Sequence, residues 1–494
     1  MKYWMKKSSR VRRTVTPFTD AVHEECGVFG IYLGKKDVGR ISPAHEAHTA
    51  LFALQHRGQE ACGIAVNNDG VIKCHKDIGL VNDVFNQRIL DSMPGNMAIG
   101  HVRYSTTGVQ SRENAQPISI THIKGNLALA HNGNLVNAGE LRRKFELNGA
   151  IFRASSDTEV LAYTIVQQRL TSGSIEKAVL NAMSIIEGAY SLVIMSPRKL
   201  IAARDPHGFR PLCMGKMGDS IIFASETCAL DSMGAEFIRD IEPGEVVVVE
   251  DGEIRSMHCG IHCEHTTCVF EYIYFARPDS IVDGASVEIA RQEAGRYLAK
   301  EHAVEADVVI GVPDSGIPAA IGYAKQSGIP YGVGLIKNRY IGRTFIQPGQ
   351  DKRERSVRIK LNALKHALKD KRVVMVDDSI VRGTTCARLV QLLRDAGAKE
   401  VHMRVSAPPF LHPCFFGTDV PDRKYLIAHG RTVEEIRDLI GVDSLGYLSV
   451  EAAHKIAVGA NCGFCDGCFT GKYPVKTPDT VEKNIFESGI GENA

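Results

Sequence analysis

The chain of 494 residues has almost no net charge and no long apolar run, and both absences narrow its function. Lys and Arg number 59 against 57 Asp and Glu, which gives a formal net charge of +2. A general attraction to nucleic acid or to an anionic membrane is therefore not expected. No uninterrupted run approaches the ~20 apolar residues that span a bilayer. We expect a chain with neither a nucleic-acid nor a membrane partner.

The N-terminus lacks the features of a secretory signal. Residues 1–15 are basic and free of acidic side chains, and they contain no apolar segment of the kind that a signal peptide needs. A cytoplasmic location is therefore expected, and an organelle-type leader within residues 1–25 stays open.

A disulfide framework is missing as well. The 13 cysteines are odd in number and are not spread as in a small secreted domain. Several of them cluster near residues 259–268 and 462–468. In a cytosolic chain such clusters favour metal ligands over disulfides.

The chain does contain enough apolar material for more than one core, since hydrophobic residues make up 44% of it. From Cys26 to about residue 255, short β-like runs alternate with helix-like stretches at 156–170 and 174–187. This pattern predicts an α+β domain with antiparallel pairing, including a hairpin turn at Asp251-Gly252. From about residue 285, strands and helices alternate, which predicts a parallel sheet with crossover helices.

The sharpest motif is a β-branched strand that ends in Asp377 and Asp378 and is followed by a glycine, Thr384, Thr385 and a helix. Ligands of open α/β sheets bind at the carboxyl ends of strands, and a helix N-terminus suits phosphate. The two acids suit a Mg²⁺-bound phosphoribosyl group. The whole string resembles the phosphoribosyl-pyrophosphate motif of type I phosphoribosyltransferases; a strand-end loop that only caps a helix is the alternative.

That resemblance implies further residues at the same site. Residues 311–318 resemble the loop that binds pyrophosphate, and Ser315 would join the two aspartates at Mg²⁺. The polar, basic segment 337–358 reads as a long functional loop. Its Lys337, Arg339 and Arg343 would close over the substrate's phosphates, unless the loop is only a solvated basic surface.

Four strings in the first half resemble the N-terminal-nucleophile glutaminase domain of class II amidotransferases, over residues 26–250. They are CGVFGI from residue 26, GHVRYST from 100, HNGN from 131 and SSDTE from 155. The resemblance implies that Cys26 attacks the glutamine carboxamide and that its own α-amine is the base. Since that amine must be free, residues 1–25 are interpreted as a propeptide cleaved between Glu25 and Cys26.

The same resemblance assigns the remaining glutaminase residues. Asn132 and Gly133 would stabilise the oxyanion through a side-chain amide and a backbone N–H. Arg103 would hold the α-carboxylate of glutamine, and Asp157 would hold its α-ammonium group.

Two overlapping CxxC units at 462–468 suit zinc or an iron–sulfur cluster. The strings CVFEYIYFARPDS from 268, HPCFFGTDVPD from 412 and CFTGKYP from 468 resemble the amidophosphoribosyltransferases that carry a [4Fe–4S] cluster. By that resemblance the ligands are Cys268, Cys414, Cys465 and Cys468. A structural zinc site is the alternative. Possible competing ligands are Cys462, Cys259, Cys263, His258, His262 and His265.

The resemblance as a whole spans about residues 26–475. It implies an αββα N-terminal-nucleophile glutaminase sandwich of the α+β class, followed by an α/β type I phosphoribosyltransferase domain. The expected parts are a propeptide (1–25), the glutaminase (26–255), the transferase with its cysteine-rich segment (256–475) and a tail (476–494). The implied cofactors are one Mg²⁺ and one [4Fe–4S] cluster per subunit.

The implied reaction is the glutamine-dependent synthesis of 5-phosphoribosylamine from phosphoribosyl pyrophosphate, the first committed step of purine synthesis. The resemblance also implies feedback inhibition by purine nucleotides and a homotetramer. Two other functions account for part of the sequence. A glutaminase with another acceptor does not account for the 373–385 string, and a regulatory protein without catalysis does not account for the intact glutaminase residues.

Overall fold

The computed structural model describes residues 26–104, 111–338, 361–418, 420 and 422–478. The predicted propeptide, most of the tail, and Arg339 and Arg343 of the basic loop lie outside the described residues. Within these ranges, no helix combines the length and the apolar character that crossing a membrane requires.

Two antiparallel sheets form the first half of the chain. The seven-stranded sheet has the order β11-β9-β10-β1-β4-β2-β3, and the six-stranded sheet has the order β13-β12-β8-β7-β6-β5. The strands are β1 Gly27–Tyr32, β2 Ala61–Asn68, β3 Val71–Ile78, β4 Met97–Arg103, β5 Ile118–His122, β6 Gly125–Leu135, β7 Gly188–Met195, β8 Lys199–Arg204, β9 Cys213–Met217, β10 Ser220–Ala224, β11 Glu236–Asp240, β12 Glu245–Glu250 and β13 Glu253–His258.

The two sheets pack face to face, and helices cover their outer faces. Val28 and Ile99 of one sheet share a buried core with Val193 and Val247 of the other. Separate cores join each sheet to its own helices. The helices are α1 Pro43–Ala53, α2 Val81–Val84, α3 Gln87–Asp91, α4 Ala138–Leu147, α5 Asp157–Thr171, α6 Ile175–Met183 and α7 Thr227–Met233. The predicted αββα layering is confirmed.

Local sequence explains two of these elements. The run EVVVVE is apolar on both faces because β12 lies inside the sandwich, with one face on the opposite sheet and one on the helices. The turn after it has positive φ at Asp251 and Gly252 (53° and 85°), and Glu250 pairs with Glu253 across it. The predicted hairpin is confirmed.

A parallel sheet of four strands, in the order β17-β20-β21-β22, organises the second half and confirms the predicted α/β domain. Short strand pairs surround it. The strands are β14 Thr266–Cys268, β15 Ile281–Val282, β16 Ala285–Ser286, β17 Val308–Gly311, β18 Leu335–Lys337, β19 Leu361–Ala363, β20 Arg372–Asp377, β21 Glu400–Val405, β22 Ser444–Tyr447 and β23 Gly463–Cys465. The helices are α8 Val287–Glu301, α9 Gly316–Ser327, α10 Lys365–Leu368, α11 Thr384–Asp395, α12 Val433–Ile440, α13 Val450–Ala453 and α14 Gly467–Thr470, with a π-helical turn at Glu271–Phe275 and a 3₁₀ turn at Arg423–Tyr425.

The C-terminal cysteine-rich segment returns to the start of the second half. β23 pairs in parallel with β14, and Cys465 lies opposite Cys268 in that register. A pairing over 197 residues of sequence is therefore what brings these two cysteines together.

Candidate functional site

Cys26 lies directly before β1, in the buried interior of the sandwich. β1 pairs with β4 so that Gly27 faces Val102, which brings Arg103, at the end of β4, next to the cysteine. The thiol of Cys26 donates a hydrogen bond to the carbonyl of Tyr104 at 3.5 Å. The predicted nucleophile and the predicted carboxylate-binding arginine therefore share one end of a strand pair.

Asn132 and Gly133 lie on β6, in the opposite sheet. The Nε2 N–H of His101 on β4 donates to the carbonyl of His131 at 2.9 Å, which joins the two strands beside these residues. Gly133 has a φ of +142°, and a Cβ there would lie 2.0 Å from the carbonyl oxygen of Ala189, so this position requires glycine.

The side-chain amide of Asn132 is buried, and no partner for it lies in the part of the chain that the structure describes. The residue is 1% exposed, and among the described residues neither its nitrogen nor its oxygen has a hydrogen-bond partner. Burying an unsatisfied amide costs about 1–3 kcal/mol. An amide kept in this condition is suited to donate to a ligand, such as the oxyanion of a tetrahedral intermediate.

Asp157 begins helix α5 and is buried beside β6. Its Oδ2 accepts a hydrogen bond from the backbone N–H of Leu135 at 2.9 Å and lies 3.9 Å from Nδ1 of His131. The hydroxyl of the neighbouring Ser156 is buried, and it has no hydrogen-bond partner in the described part of the chain. Sequence reasoning gave Ser156 no role, and only its unpartnered hydroxyl distinguishes it.

The predicted phosphoribosyl residues meet at the carboxyl ends of β17 and β20. The hydroxyl of Ser315 donates to Oδ2 of Asp378. A Cβ on Gly316 would lie 2.5 Å from the carbonyl oxygen of Val376, so the loop before α9 packs closely onto the end of β20. Burial, together with repulsion by Asp378, raises the pKa of Asp377 well above its usual range. Burial also raises the pKa of Asp378.

A buried acid pair of this kind fits a divalent cation. The cation would offset the burial of two carboxylates, which otherwise favours their protonated forms. Asp377, Asp378 and Ser315 supply oxygen ligands, which Mg²⁺ prefers. Their assignment as Mg²⁺ ligands stays a prediction.

Phosphate-binding features lie around this acid pair. Thr384 and Thr385 begin helix α11, directly after Gly383, whose φ is +84°. Their backbone N–H groups point out of the first helical turn, where an anion is stabilised. Lys337 on β18 donates to Oδ2 of Asp314, in the loop before α9, at 2.6 Å. The lysine therefore reaches the predicted pyrophosphate loop.

The four cysteines predicted as cluster ligands line one enclosed cavity. Cys414 Sγ accepts a hydrogen bond from the backbone N–H of Phe416 at 3.4 Å, and the backbone N–H of Gly467 donates to the sulfur of Cys465. Burial raises the pKa of Cys465 to about 12. Amide donors around buried sulfurs suit thiolates that bind metal.

The spacing of these sulfurs bears on which metal they would hold. Tetrahedral zinc, with Zn–S bonds of ~2.3 Å, requires thiolate sulfurs roughly 3.8 Å apart. In the described ranges, the one group of three candidate ligand atoms within 4.8 Å of each other is His265, Asp283 and Cys462, not the four cysteines of the cavity. No three of the four cysteine sulfurs therefore lie within 4.8 Å of each other, which suits a group larger than a single zinc ion. Cys462 lies outside the cavity lining.

Two family models match the chain. A glutamine amidotransferase domain matches residues 101–232, and a phosphoribosyl transferase domain matches residues 285–410. These matches fall on the sandwich and on the parallel-sheet domain respectively.

Curated relatives and solved structures match over nearly the whole length. An amidophosphoribosyltransferase of Bacillus subtilis is 50% identical over 474 residues, covering 94% of this chain and 98% of the relative. One of Methanocaldococcus jannaschii is 50% identical, covering 91% and 98%. The solved structure of glutamine phosphoribosylpyrophosphate amidotransferase from B. subtilis, complexed with ADP and GMP, is 48% identical, with a TM-score of 0.86 and coverage of 94% and 100%.

Proposed function

Since this chain belongs to the amidophosphoribosyltransferase family, the glutamine-dependent enzymes of the first step of purine biosynthesis, we propose that Cys26 is its glutaminase nucleophile and that Asp377 and Asp378 mark its phosphoribosyl site. Family membership excludes the two other functions considered from sequence. The proposal concerns which residues perform each step.

The first step is the release of ammonia from glutamine. The free α-amine of Cys26 takes the proton of its own thiol, and the sulfur attacks the carboxamide carbon. Asn132 and the backbone N–H of Gly133 donate to the oxyanion that forms. The intermediate collapses as its C–N bond breaks and the protonated α-amine returns its proton to the leaving ammonia, and water then hydrolyses the resulting thioester to glutamate. Arg103 and Asp157 bind the α-carboxylate and α-ammonium groups. The unpartnered, buried amide of Asn132 is the single observation that carries this assignment.

The second step joins that ammonia to the ribose. Ammonia reaches the transferase site internally and attacks C1, while pyrophosphate leaves. Thr384, Thr385 and Lys337 bind phosphate groups, and Asp377, Asp378 and Ser315 would hold Mg²⁺. When bound, Mg²⁺ neutralises charge on the departing pyrophosphate.

The cysteine cavity is the proposed site of a [4Fe–4S] cluster held by Cys268, Cys414, Cys465 and Cys468. Neither step needs electron transfer, so the cluster would act structurally, by fixing the C-terminal segment to the transferase domain. The wide spacing of the sulfurs and the amide donors around them support this assignment over zinc. Iron and sulfide analysis of anaerobically purified protein tests it directly.

Regulation and assembly are proposed by family membership. The B. subtilis structure is of a complex with ADP and GMP, and we infer that purine nucleotides also inhibit this chain. A homotetramer is the proposed assembly. Sedimentation tests the assembly, and the rate of pyrophosphate release with and without purine nucleotide tests the inhibition.

The substitution Cys26→Ala tests the central assignment. Glutamine-dependent release of pyrophosphate from phosphoribosyl pyrophosphate should be lost, because no thiol remains to attack the amide. Release driven by added ammonium salt should persist, because ammonia is the substrate of the second site. A variant that keeps its glutamine-dependent rate would remove Cys26 from the mechanism.

A further inference from the structure

A buried arginine holds the backbone of Cys26. Arg57 is 1% exposed, and its Nε donates to the carbonyl oxygen of Cys26 at 3.0 Å. Its Nη1 donates to Glu226 at 2.6 Å, and both Nη atoms donate to Glu271, at 3.0 and 2.7 Å. Four of the five N–H groups of this guanidinium therefore donate to acceptors in the described part of the protein.

The two glutamates come from different halves of the molecule. Glu226 lies at the start of α7 in the glutaminase half, whereas Glu271 begins the π-helical turn three residues after Cys268. Oε2 of Glu226 also accepts from the backbone N–H of Arg277 at 2.8 Å and from the hydroxyl of Ser280 at 2.6 Å. The transferase-side segment 271–280 thus contacts both Arg57 and its partner.

Glu271 is also linked, through Arg210, to β6, which carries Asn132 and is called here the oxyanion strand. Its Oε1 lies 3.4 Å from Nη1 of Arg210, and Nη2 of that arginine donates to the carbonyl of Phe416 at 2.7 Å. The adjacent carbonyl of Phe415 accepts from Nδ2 of Asn134 at 2.9 Å. One transferase-side carboxylate is therefore linked to the nucleophile through one arginine and to the strand of Asn132 through another.

This connection is rigid for an electrostatic reason. Both arginines and Glu271 have side chains with no exposure to solvent. Separating the partners of a buried ion pair would leave each charge uncompensated in the interior. The arginines and Glu271 are therefore held in place relative to one another. The planar fork of a guanidinium also fixes the direction of its Nε relative to the carboxylate that it binds.

We propose that Glu271 is a positioning residue for glutamine hydrolysis: through Arg57 it fixes Cys26 relative to the oxyanion strand. The inference rests on the proposed role of Cys26 as nucleophile. It makes the glutaminase site incomplete without a carboxylate from the transferase half. A displacement of ~1 Å in a reacting group can lower a rate by about a hundredfold.

The test compares two isosteric substitutions. Glu271→Gln removes the charge that orients Arg57. Asp283→Asn is the matched control, because Asp283 also forms a buried, two-pronged pair across the same halves, with Arg204 at 2.8 and 2.9 Å, and none of its hydrogen bonds reaches Cys26. For each variant, kcat and KM are measured with glutamine and with ammonium salt as nitrogen donor.

The expected result is a change in the ratio of the two activities. Glu271→Gln should lower the glutamine-dependent kcat on the order of tenfold to a hundredfold, with the KM for glutamine and the ammonia-dependent kcat within twofold of wild type. Asp283→Asn should leave the ratio unchanged. If the ratio of glutamine-dependent to ammonia-dependent kcat is the same in Glu271→Gln as in Asp283→Asn, the proposal is overturned, because Glu271 would then act only on folding.

A second variant tests the proposal in case Glu271→Gln folds poorly. Arg57→Lys keeps the charge but loses the planar fork that places separate nitrogens on Cys26, Glu226 and Glu271. It should therefore also lower the ratio, and an unchanged ratio would overturn the proposal. Cys26→Ala separates this failure from that of the proposed function. If Cys26→Ala still uses glutamine, Cys26 is not the nucleophile. If Cys26→Ala loses glutamine-dependent activity but Glu271→Gln and Arg57→Lys keep the wild-type ratio, only the role of Glu271 is refuted.

Discussion

Because the amide of Asn132 has no partner among the described residues, substituting this residue should affect the catalytic rate without lowering the stability of the protein. We expect Asn132→Ala to lower the glutamine-dependent kcat by about 10²–10³, the usual effect of removing one oxyanion donor. The melting temperature should not fall, because the substitution removes a buried amide that has no partner among the described residues. Steady-state kinetics and thermal melting measure the two effects.

Gln116 provides the control for this substitution. It is also buried, but its amide accepts from the backbone N–H of His131 at 2.8 Å and donates to the hydroxyl of Thr158 at 3.1 Å. Gln116→Ala should therefore lower the melting temperature, since it leaves the buried backbone N–H of His131 unsatisfied. If Asn132→Ala destabilised the protein equally, the amide would have a structural role instead.

Asp240 gives the protein a pH-dependent stability. Burial, and then repulsion by Asp283, raises the pKa of Asp240 to about 7 from an ordinary value near 3.8. Between these two values the unfolded chain has released a proton that the folded protein retains, so stability falls as pH rises from about 4 to about 7. A shift of this size corresponds to roughly 4 kcal/mol.

The substitution Asp240→Asn should remove this loss of stability between pH 4 and pH 7. The variant should melt at a higher temperature than wild type at pH 8 and at a similar temperature at pH 4, because Asp240 is protonated at the lower pH. Arg204 keeps its partner Asp283 in this variant. If the melting temperatures of the two proteins differ by the same amount at every pH from 4 to 8, the expected pKa of Asp240 is wrong.

At the scale of elements, we expect the pair β14–β23 to depend on the iron–sulfur cluster proposed at its cysteines. Each strand has only three residues, and Cys268 faces Cys465. Such a short pair is not stable by itself. Cys465→Ser should therefore lower the iron content and expose residues 462–478 to protease, whereas Cys462→Ser should not, because Cys462 lies outside the cavity. Iron analysis and mapping of the cleavage sites distinguish the variants.

Elements with strong local signals were predictable from the sequence. The hairpin at Asp251-Gly252 and the parallel strand that ends in Asp377 follow from residues within a few positions of each other. Helix α6 was predicted over 174–187 but ends at Met183, because residues after it turn into β7. Long-range pairings left no local signal: Arg57 meets Glu226 and Glu271 across 169 and 214 residues.

The candidate site shows the same division. The positions of Cys26, Asn132 and Asp157 were inferred from short strings, and the structure brings their strands and helix to one end of the sandwich. Ser156 and Glu271 lie within the strings SSDTE and CVFEYIYFARPDS, but neither string assigned them a role. Their interest comes from a missing hydrogen-bond partner and from burial, which are properties of the folded chain alone.

At the scale of the whole molecule, removal of residues 1–25 should switch on one activity and not the other. A Glu25→Pro variant that resists processing should lack glutamine-dependent activity, since the amine of Cys26 stays in a peptide bond. Its ammonia-dependent activity should match that of the processed chain. Mass spectrometry identifies the N-terminus, and full glutamine use by the intact chain would refute the free-amine mechanism.

The bond from Asn134 to Phe415 also has a consequence for synthesis on the ribosome. Its two residues are 281 positions apart, so at 5–20 residues per second the second emerges roughly 15–55 s after the first. During that interval the nascent glutaminase half lacks the contact with Phe415, and for about the first half of it Glu271 is missing as well. If Glu271 positions Cys26 as proposed, a truncated chain that ends before residue 271 should hydrolyse glutamine more slowly than the full chain.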